Sequence, residues 1–115
     1  MTHKVFVYGT LRPSKVATHK LYGYEMYNYG KFPYIIPYVE EEFTSHPEVL
    51  GNLILVDDSM LAGLDLYEGV AKGLYTRETV TVLNMETDER VECFVYVATS
   101  MLHPSLIASG DWFNQ

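Results

Sequence analysis

The stretch Val5-Phe6-Val7-Tyr8-Gly9-Thr10-Leu11-Arg12-Pro13 runs from apolar residues directly into a turn. Its first four residues are β-branched or aromatic without a break, which predicts a strand that is buried on both faces. Gly9 ends this strand. Because glycine has no side chain and can adopt positive φ, successive backbone N–H groups of the turn can converge on an anion. Residues 5–13 therefore predict a buried strand that leads into a binding loop closed by Pro13.

Length and charge narrow the class of protein. With 115 residues the chain is expected to form a single domain, 1–115. It carries 8 Lys and Arg against 15 Asp and Glu, a formal charge of -7, which opposes nucleic acid or an anionic membrane as the partner. The apolar runs are short, and residues 1–4 lead directly into the strand, so neither a transmembrane span nor a signal peptide is predicted. The only cysteine, Cys93, allows no intramolecular disulfide, and we expect a cytoplasmic protein.

Motifs for metals and cofactors are missing from the sequence. The four histidines lie too irregularly to place two ligands on one helix turn or strand face: His3, His19, His46 and His103. No Gly-x-Gly-x-x-Gly, Gly-Lys-Ser/Thr or Gly-x-Ser-x-Gly pattern occurs. We therefore predict no metal and no cofactor, and a reaction that would rely on carboxylates, tyrosines and backbone donors.

Hydrophobic periodicity predicts an α+β domain. We expect strands over Val49–Val56, Tyr75–Leu83 and Val91–Ala98, the last two joined by a hairpin turn at Thr87-Asp88. Helical spacing predicts a short amphipathic helix over Ser59–Glu68, with Gly69 as its left-handed C-cap. Because several strands are apolar on both faces, closure into a small mixed β-barrel with short flanking helices fits better than an open sheet.

Other segments have less regular patterns. Residues 14–20 could form a second short helix capped by Ser14. The tyrosine-rich residues 21–32 read as a sheet face with glycine bends, or alternatively as the aromatic wall of a ligand pocket. Pro33 and Pro37 restrict the segment between them to an edge strand. Residues 40–42, all glutamate, suggest a solvated loop, and Trp112 could plug one end of the domain.

Glu68 is the strongest candidate for an acid–base residue. At the helix C-terminus it would feel the negative end of the helix dipole, with Asp65 one turn earlier and Tyr67 and Val70 beside it. Each influence disfavours the charged carboxylate and predicts a raised pKa. A carboxyl group with a raised pKa can accept and return a proton near neutral pH. The alternative is an exposed helix-end acid without a chemical role.

The ordered set of motifs resembles the gamma-glutamylcyclotransferase-like superfamily, which includes the gamma-glutamylamine cyclotransferases. The matching segments span nearly the whole chain: Val7-Tyr8-Gly9-Thr10-Leu11-Arg12, Gly51-Asn52-Leu53-Ile54, Leu64-Asp65-Leu66-Tyr67-Glu68-Gly69, Tyr75-Thr76-Arg77, Val95-Tyr96-Val97 and Ser109-Gly110-Asp111-Trp112. The resemblance implies a small β-barrel whose first loop binds the glutamyl part of a small gamma-glutamyl substrate. It also implies that Glu68 is the general acid/base, and that 5-oxoproline and an amine are the products.

Further site residues follow from this resemblance. The substrate-binding set it implies is Tyr8, Gly9, Thr10, Leu11, Arg12, Tyr75 and Tyr96. Arg12 would either attract the substrate α-carboxylate or remain a loop cation in solvent. Tyr96 would border the pocket, and Tyr75 with Arg77 could face the same cavity, although barrel packing would explain all three residues nearly as well.

Two other function classes compete with a cyclotransferase. One is a catalytically idle family member that binds a small molecule or a protein, because a fold does not guarantee turnover. The other, which ignores the resemblance, is a small barrel that binds oligonucleotides on aromatic faces; the tyrosines suit it, but the charge of -7 opposes it.

Overall fold

The structure, a computed structural model, describes residues 1–28, 33–38, 47–99 and 105–115. Eight strands, one α-helix and two short 3₁₀ turns follow each other along these residues. The strands are β1 Thr2–Val7, β2 His19–Tyr22, β3 Tyr24–Asn28, β4 Pro33–Pro37, β5 Glu48–Asp57, β6 Tyr75–Asn84, β7 Arg90–Ala98 and β8 Ser105–Ile107. The helix, α1, is Asp58–Glu68, and the 3₁₀ turns are Val70–Lys72 and Trp112–Asn114. This content confirms the expected α+β class.

Five of the strands form a closed barrel in the order β1-β5-β2-β6-β7. Neighbouring strands are antiparallel except at the closing contact, where Val5 of β1 pairs in parallel with Phe94 of β7. The other three strands form a separate sheet in the order β4-β3-β8. The β6–β7 hairpin turns near Asp88, which has a φ of 60°.

Both faces of β1 are buried, as its sequence predicts. Phe6 belongs to a core cluster that draws side chains from all five barrel strands, whereas Val5 and Val7 pack in a second cluster with Leu61 of α1. Side chains alternate between the faces of a strand, so β1 can serve two cores at once. This places the C-terminal end of β1 between the barrel and the helix.

Helix α1 is capped at both ends, and its C-cap is Gly69 as predicted. The Asp57 carboxylate accepts a hydrogen bond from the Met60 N–H group at 2.8 Å, and Gly69 adopts the left-handed conformation with a φ of 70°. The Gly69 N–H group donates to the carbonyl groups of Asp65 and Leu66. These caps fix Glu68 as the last helical residue.

The predicted helix over residues 14–20 is wrong. Residues 14–18 are irregular, and β2 begins at His19. The Ser14 hydroxyl accepts from the Val16 N–H group in a local turn, while the Thr18 N–H group donates to the Gly51 carbonyl on β5. These hydrogen bonds hold the segment against the barrel, so it does not form a helix.

The remaining irregular segments are partly described. Gly23, with a φ of 85°, makes the expected bend between β2 and β3, and β4 is an edge strand of the smaller sheet. Trp112 is half-buried against the main core. Residues 29–32 of the tyrosine-rich stretch and the glutamates 40–42 lie outside the described residues. No helix in the described part of the chain is long and apolar enough to cross a membrane.

Candidate functional site

A cavity of about 280 Å³ opens where β1 ends, α1 ends and β6 begins. Fourteen described residues line it: Val5, Phe6, Val7, Tyr8, Gly9, Thr10, Leu11, Pro33, Leu64, Tyr67, Glu68, Leu74, Tyr75 and Tyr96. This set includes every candidate site residue nominated from the sequence except Arg12 and Arg77. Strand β1 and its loop supply one wall, α1 supplies Glu68, and β6 and β7 supply Tyr75 and Tyr96.

The Glu68 carboxyl group is perturbed in the direction that the sequence predicts. Burial raises its pKa from 4.5 to about 7. Among the described residues, no hydrogen bond or ion pair reaches this carboxyl group. The cause of the shift is desolvation by burial and not the Asp65 charge. Glu68 can therefore gain or lose a proton near neutral pH.

Tyr8 is a fixed neutral wall of the cavity. Its hydroxyl donates to the Tyr96 carbonyl oxygen at 2.7 Å. Burial raises the pKa of the Tyr8 phenol well above its ordinary value, and the neighbouring Tyr75 and Glu68 raise it further. The phenol therefore stays protonated, and Tyr8 lines the same cavity as Glu68 and Tyr75.

Asp65 links the helix to both strands of the β6–β7 hairpin. The Tyr96 hydroxyl donates to Asp65 Oδ1 at 2.7 Å, and Arg77 Nη1 donates to Asp65 Oδ2 at 2.6 Å. Burial, and then the bond to Asp65, raise the pKa of the Tyr96 phenol. Arg77 does not line the cavity, so its predicted place beside Tyr75 in the site is not observed.

The loop after β1 is closed by a backbone hydrogen bond. The Arg12 N–H group donates to the Gly9 carbonyl at 3.1 Å, and the N–H groups of Thr10 and Leu11 do not take part in that bond. Gly9 does not have positive φ, contrary to the reason given for it from the sequence. Instead, a Cβ atom at Gly9 would lie 2.8 Å from Pro33 Cγ and 2.9 Å from Pro33 Cδ. The glycine is therefore required by close packing of the loop against β4.

Comparison with known proteins shows the family of this chain. A family model described as "Gamma-glutamyl cyclotransferase, AIG2-like" matches residues 5–114. The chain belongs to this family. It is 35% identical over 125 aligned positions to a Vibrio cholerae protein named "Putative gamma-glutamylcyclotransferase", and the alignment covers 97% of this chain and 96% of that one.

Solved structures support the same fold. A solution structure of an Arabidopsis thaliana protein superposes with a TM-score of 0.66 at 28% identity, covering 97% of this chain and 70% of that chain. The crystal structure of an AIG2-like protein from Mus musculus gives a TM-score of 0.65 at 24% identity, covering 88% and 80%. The second similarity concerns the fold alone.

Arg12 has neither of the two roles proposed from the sequence, which were to attract the substrate carboxylate or to remain a loop cation in solvent. Its side chain is 0% exposed, so it is not a loop cation in solvent, and it lies outside the cavity lining. It donates to Asp111 Oδ1 at 2.7 Å, to Asn52 Oδ1 at 2.9 Å and to the Lys15 carbonyl at 3.1 Å. Its guanidinium also lies 4.9 Å from the centroid of the Phe113 ring. Arg12 thus anchors the far end of the cavity loop.

Sequence reasoning missed most of the apolar lining. Leu64 and Tyr67 belong to the helix predicted over Ser59–Glu68, and their spacing of one to four residues from Glu68 is the signal that could have placed them in the site. Leu74 lies against Gly69, where an added Cβ atom would contact its side chain. Pro33 reaches the cavity from the separate sheet, and nothing in the sequence near Gly9 indicates that contact. Among the described residues, no three His, Cys, Asp or Glu side chains are grouped as metal ligands would be.

Proposed function

We propose that this chain is a cyclotransferase that converts the glutamyl part of a gamma-glutamyl amine or small gamma-glutamyl peptide to 5-oxoproline, releasing the amine. The observation that carries the proposal is the Glu68 carboxyl group, with a pKa of about 7, facing the same cavity as the loop Tyr8–Leu11. Membership of a cyclotransferase family supports the reaction class. Glu68 is then the general acid/base.

The reaction needs no nucleophile from the protein. The substrate α-amine attacks its own γ-carbonyl carbon, a new C–N bond closes the five-membered ring, and the bond to the leaving nitrogen breaks. The α-ammonium nitrogen loses two protons as it becomes the N–H group of the ring. Glu68 takes the first and returns it to the leaving nitrogen, and the second, lost after the C–N bond has formed, ends on the released amine, which leaves as an ammonium ion. Protons and electrons balance without a cofactor, and a carboxyl group with a pKa near the working pH suits both transfers.

The cavity would act mainly by holding the substrate in the conformer that cyclises. Ring closure is already intramolecular, so fixing the glutamyl chain removes rotational freedom that opposes the reaction. A volume of about 280 Å³ is at the small end for ligand sites, which suits a glutamyl group. Tyr8, Tyr75 and Tyr96 would form its walls.

Backbone N–H groups would bind the negatively charged group of the substrate. The turn bond between Arg12 and Gly9 leaves the N–H groups of Thr10 and Leu11 outside it, in residues that line the cavity. In this proposal they hold the substrate carboxylate or the oxygen on which charge develops. Donors fixed before the reaction are effective because they need not reorganise as the charge forms.

A substrate panel tests the proposal. Purified protein is incubated with gamma-glutamyl amines and gamma-glutamyl dipeptides, and 5-oxoproline and free amine are measured by mass spectrometry. We expect equal amounts of both products from at least one compound. The matched controls are β-aspartyl analogues, which are one methylene shorter and would have to close a four-membered ring.

The panel also separates an enzyme from a binding module. Calorimetric binding of a gamma-glutamyl compound without any release of 5-oxoproline would contradict the proposal and favour the idle family member. Equal release of the free amine from gamma-glutamyl and β-aspartyl compounds would show amide hydrolysis instead of cyclisation.

A further inference from the structure

The ion pair between Asp65 and Arg77 lies beside the cavity without lining it. Both side chains are about one-third exposed, at 30% and 31%, and their charged atoms are 2.6 Å apart. Surface ion pairs of this kind usually contribute little to stability. This pair matters for another reason, which is its position close to Glu68.

Both oxygens of Asp65 are held by the β6–β7 hairpin. Tyr96 of β7, which lines the cavity, binds Oδ1, and Arg77 of β6 binds Oδ2. The Arg77 guanidinium in turn lies 4.9 Å from the centroid of the Phe94 ring on β7. In the hairpin register Arg77 is directly opposite Tyr96. The last turns of α1 are therefore tied to two strands through one carboxylate.

Glu68 lies one helical turn after Asp65. Residues three positions apart share a helix face, with their Cβ atoms roughly 5–6 Å apart. An unpaired Asp65 carboxylate at that distance would favour the protonated form of Glu68 by like-charge repulsion. Pairing with Arg77 places an opposite charge at the same point and largely removes this effect.

The other groups facing Glu68 carry no formal charge near neutral pH. Within the described ranges, every other titratable side chain lining the cavity is a tyrosine: Tyr8 at the end of β1, Tyr67 on α1, Tyr75 on β6 and Tyr96 on β7. Strand β4 contributes Pro33, which does not titrate. Lys72 is exposed in the following 3₁₀ turn. The ion pair between Asp65 and Arg77 is thus the formally charged pair on the helix face that carries Glu68.

We propose that Arg77 is a positioning residue for Glu68, which fixes Asp65 and Tyr96 against the end of α1 and neutralises the Asp65 charge one turn from the catalytic acid. This inference rests on the proposed role of Glu68. It assigns Arg77 an effect on the chemistry although the side chain does not contact the cavity.

The two halves of the ion pair should shift Glu68 in opposite directions. Arg77→Met leaves the Asp65 anion unbalanced, so Glu68 should hold its proton to a pH higher by about half a unit. Asp65→Asn leaves the Arg77 cation unbalanced, so Glu68 should release its proton at a pH lower by about the same amount. The double variant should return close to the parent.

The shifts are measured by NMR titration of the glutamate side-chain carboxyl carbons, with the Glu68 signal assigned by its loss in Glu68→Gln. The acidic limb of the pH profile of kcat/KM for 5-oxoproline release should move with it. Arg90→Met is the matched control, because Arg90 is an exposed arginine of the same hairpin. Arg77→Lys keeps the positive charge and should bring the Glu68 midpoint back toward the parent value.

Shifts of the same sign in Arg77→Met and Asp65→Asn, or no shift beyond that of Arg90→Met, would overturn the inference. A purely structural ion pair would lower kcat or the melting temperature in both variants and leave the titration midpoints together. The NMR readout needs no turnover. If the parent releases no 5-oxoproline while the midpoints separate as expected, the proposed function fails and the charge balance stands.

Discussion

Asp111 and Glu68 are two carboxylates that the fold withdraws from water near the same loop, one with a cation and one without. Asp111, 8% exposed, accepts hydrogen bonds from the Arg12 guanidinium at 2.7 Å and from the Phe113 N–H group at 3.1 Å. Glu68 faces tyrosine and aliphatic side chains across the cavity, and burial raises its pKa to about 7.

This difference separates a carboxylate that holds two segments together from one that can exchange a proton near neutral pH. A buried charge with a close partner holds elements together, and removing the partner is strongly destabilising. A half-buried carboxyl group without a cation has a pKa raised toward neutral pH and can exchange protons there. The loop Tyr8–Arg12 joins the two, because its far end is anchored to Asp111 and its near end lines the cavity with Glu68.

The largest expected effect is the loss of the Arg12 anchor. Arg12→Met should lower the free energy of unfolding by about 3–5 kcal/mol, because Asp111 would remain buried without its cation. Urea denaturation measures this change. The matched control, Arg90→Met at an exposed position, should change it by less than about 0.5 kcal/mol. Equal effects of the two substitutions would show that the buried pair is not a structural anchor.

Gly9→Ala tests the packing between the loop and β4. The added methyl group meets the Pro33 ring, so we expect a loss of about 1–3 kcal/mol in unfolding free energy together with reduced 5-oxoproline release. Gly63→Ala makes the same chemical change on α1, where a Cβ atom meets nothing within 4 Å. That control should raise stability by roughly 0.5–1 kcal/mol, since alanine favours a helix interior over glycine. A Gly9→Ala variant as stable and active as the parent would contradict the close-packing role.

The smallest effect is a pH-dependent gain in stability for Glu68→Gln. The pKa of Glu68 is about 7 in the folded chain against 4.5 as its ordinary value. Between these values the folded state binds more proton than the unfolded state, so parent stability falls as pH rises from 4.5 to 7 and is level above that range.

Glutamine removes this dependence. Relative to its value near pH 4.5, the stability of Glu68→Gln over the parent should increase by about 1–2 kcal/mol at pH 8, a figure reduced for the solvent contact of the group. Denaturation at the two pH values provides the measurement, with Glu92→Gln on exposed β7 as the control. A difference that does not change with pH would mean that Glu68 titrates at an ordinary value.

Local sequence patterns predicted the elements that carry the site. Unbroken β-branched and aromatic residues predicted β1, and helical spacing together with Gly69 predicted the helix that ends at Glu68. The hairpin β6–β7 followed from alternation and its turn. These features depend on neighbours in the chain, so sequence alone was sufficient for them.

Long-range contacts explain what could not be predicted. The cation partner of Arg12 is Asp111, 99 positions away, and the packing partner of Gly9 is Pro33 on another sheet. Residues 14–18 have local helix signals, but the Thr18 bond to Gly51 overrides them. For Glu68 the direction of the pKa shift was correct, while its cause, burial in the cavity, required the tertiary structure.

The rate of 5-oxoproline release by Glu68→Gln, compared with the parent and with Glu92→Gln, tests the proposed acid–base role of Glu68 most directly. Glutamine keeps the size of the side chain but cannot carry the proton, so we predict a loss of roughly 100-fold or more in kcat, with binding of a gamma-glutamyl analogue within a few-fold of the parent. Turnover by Glu68→Gln at the rate of the parent would contradict the account.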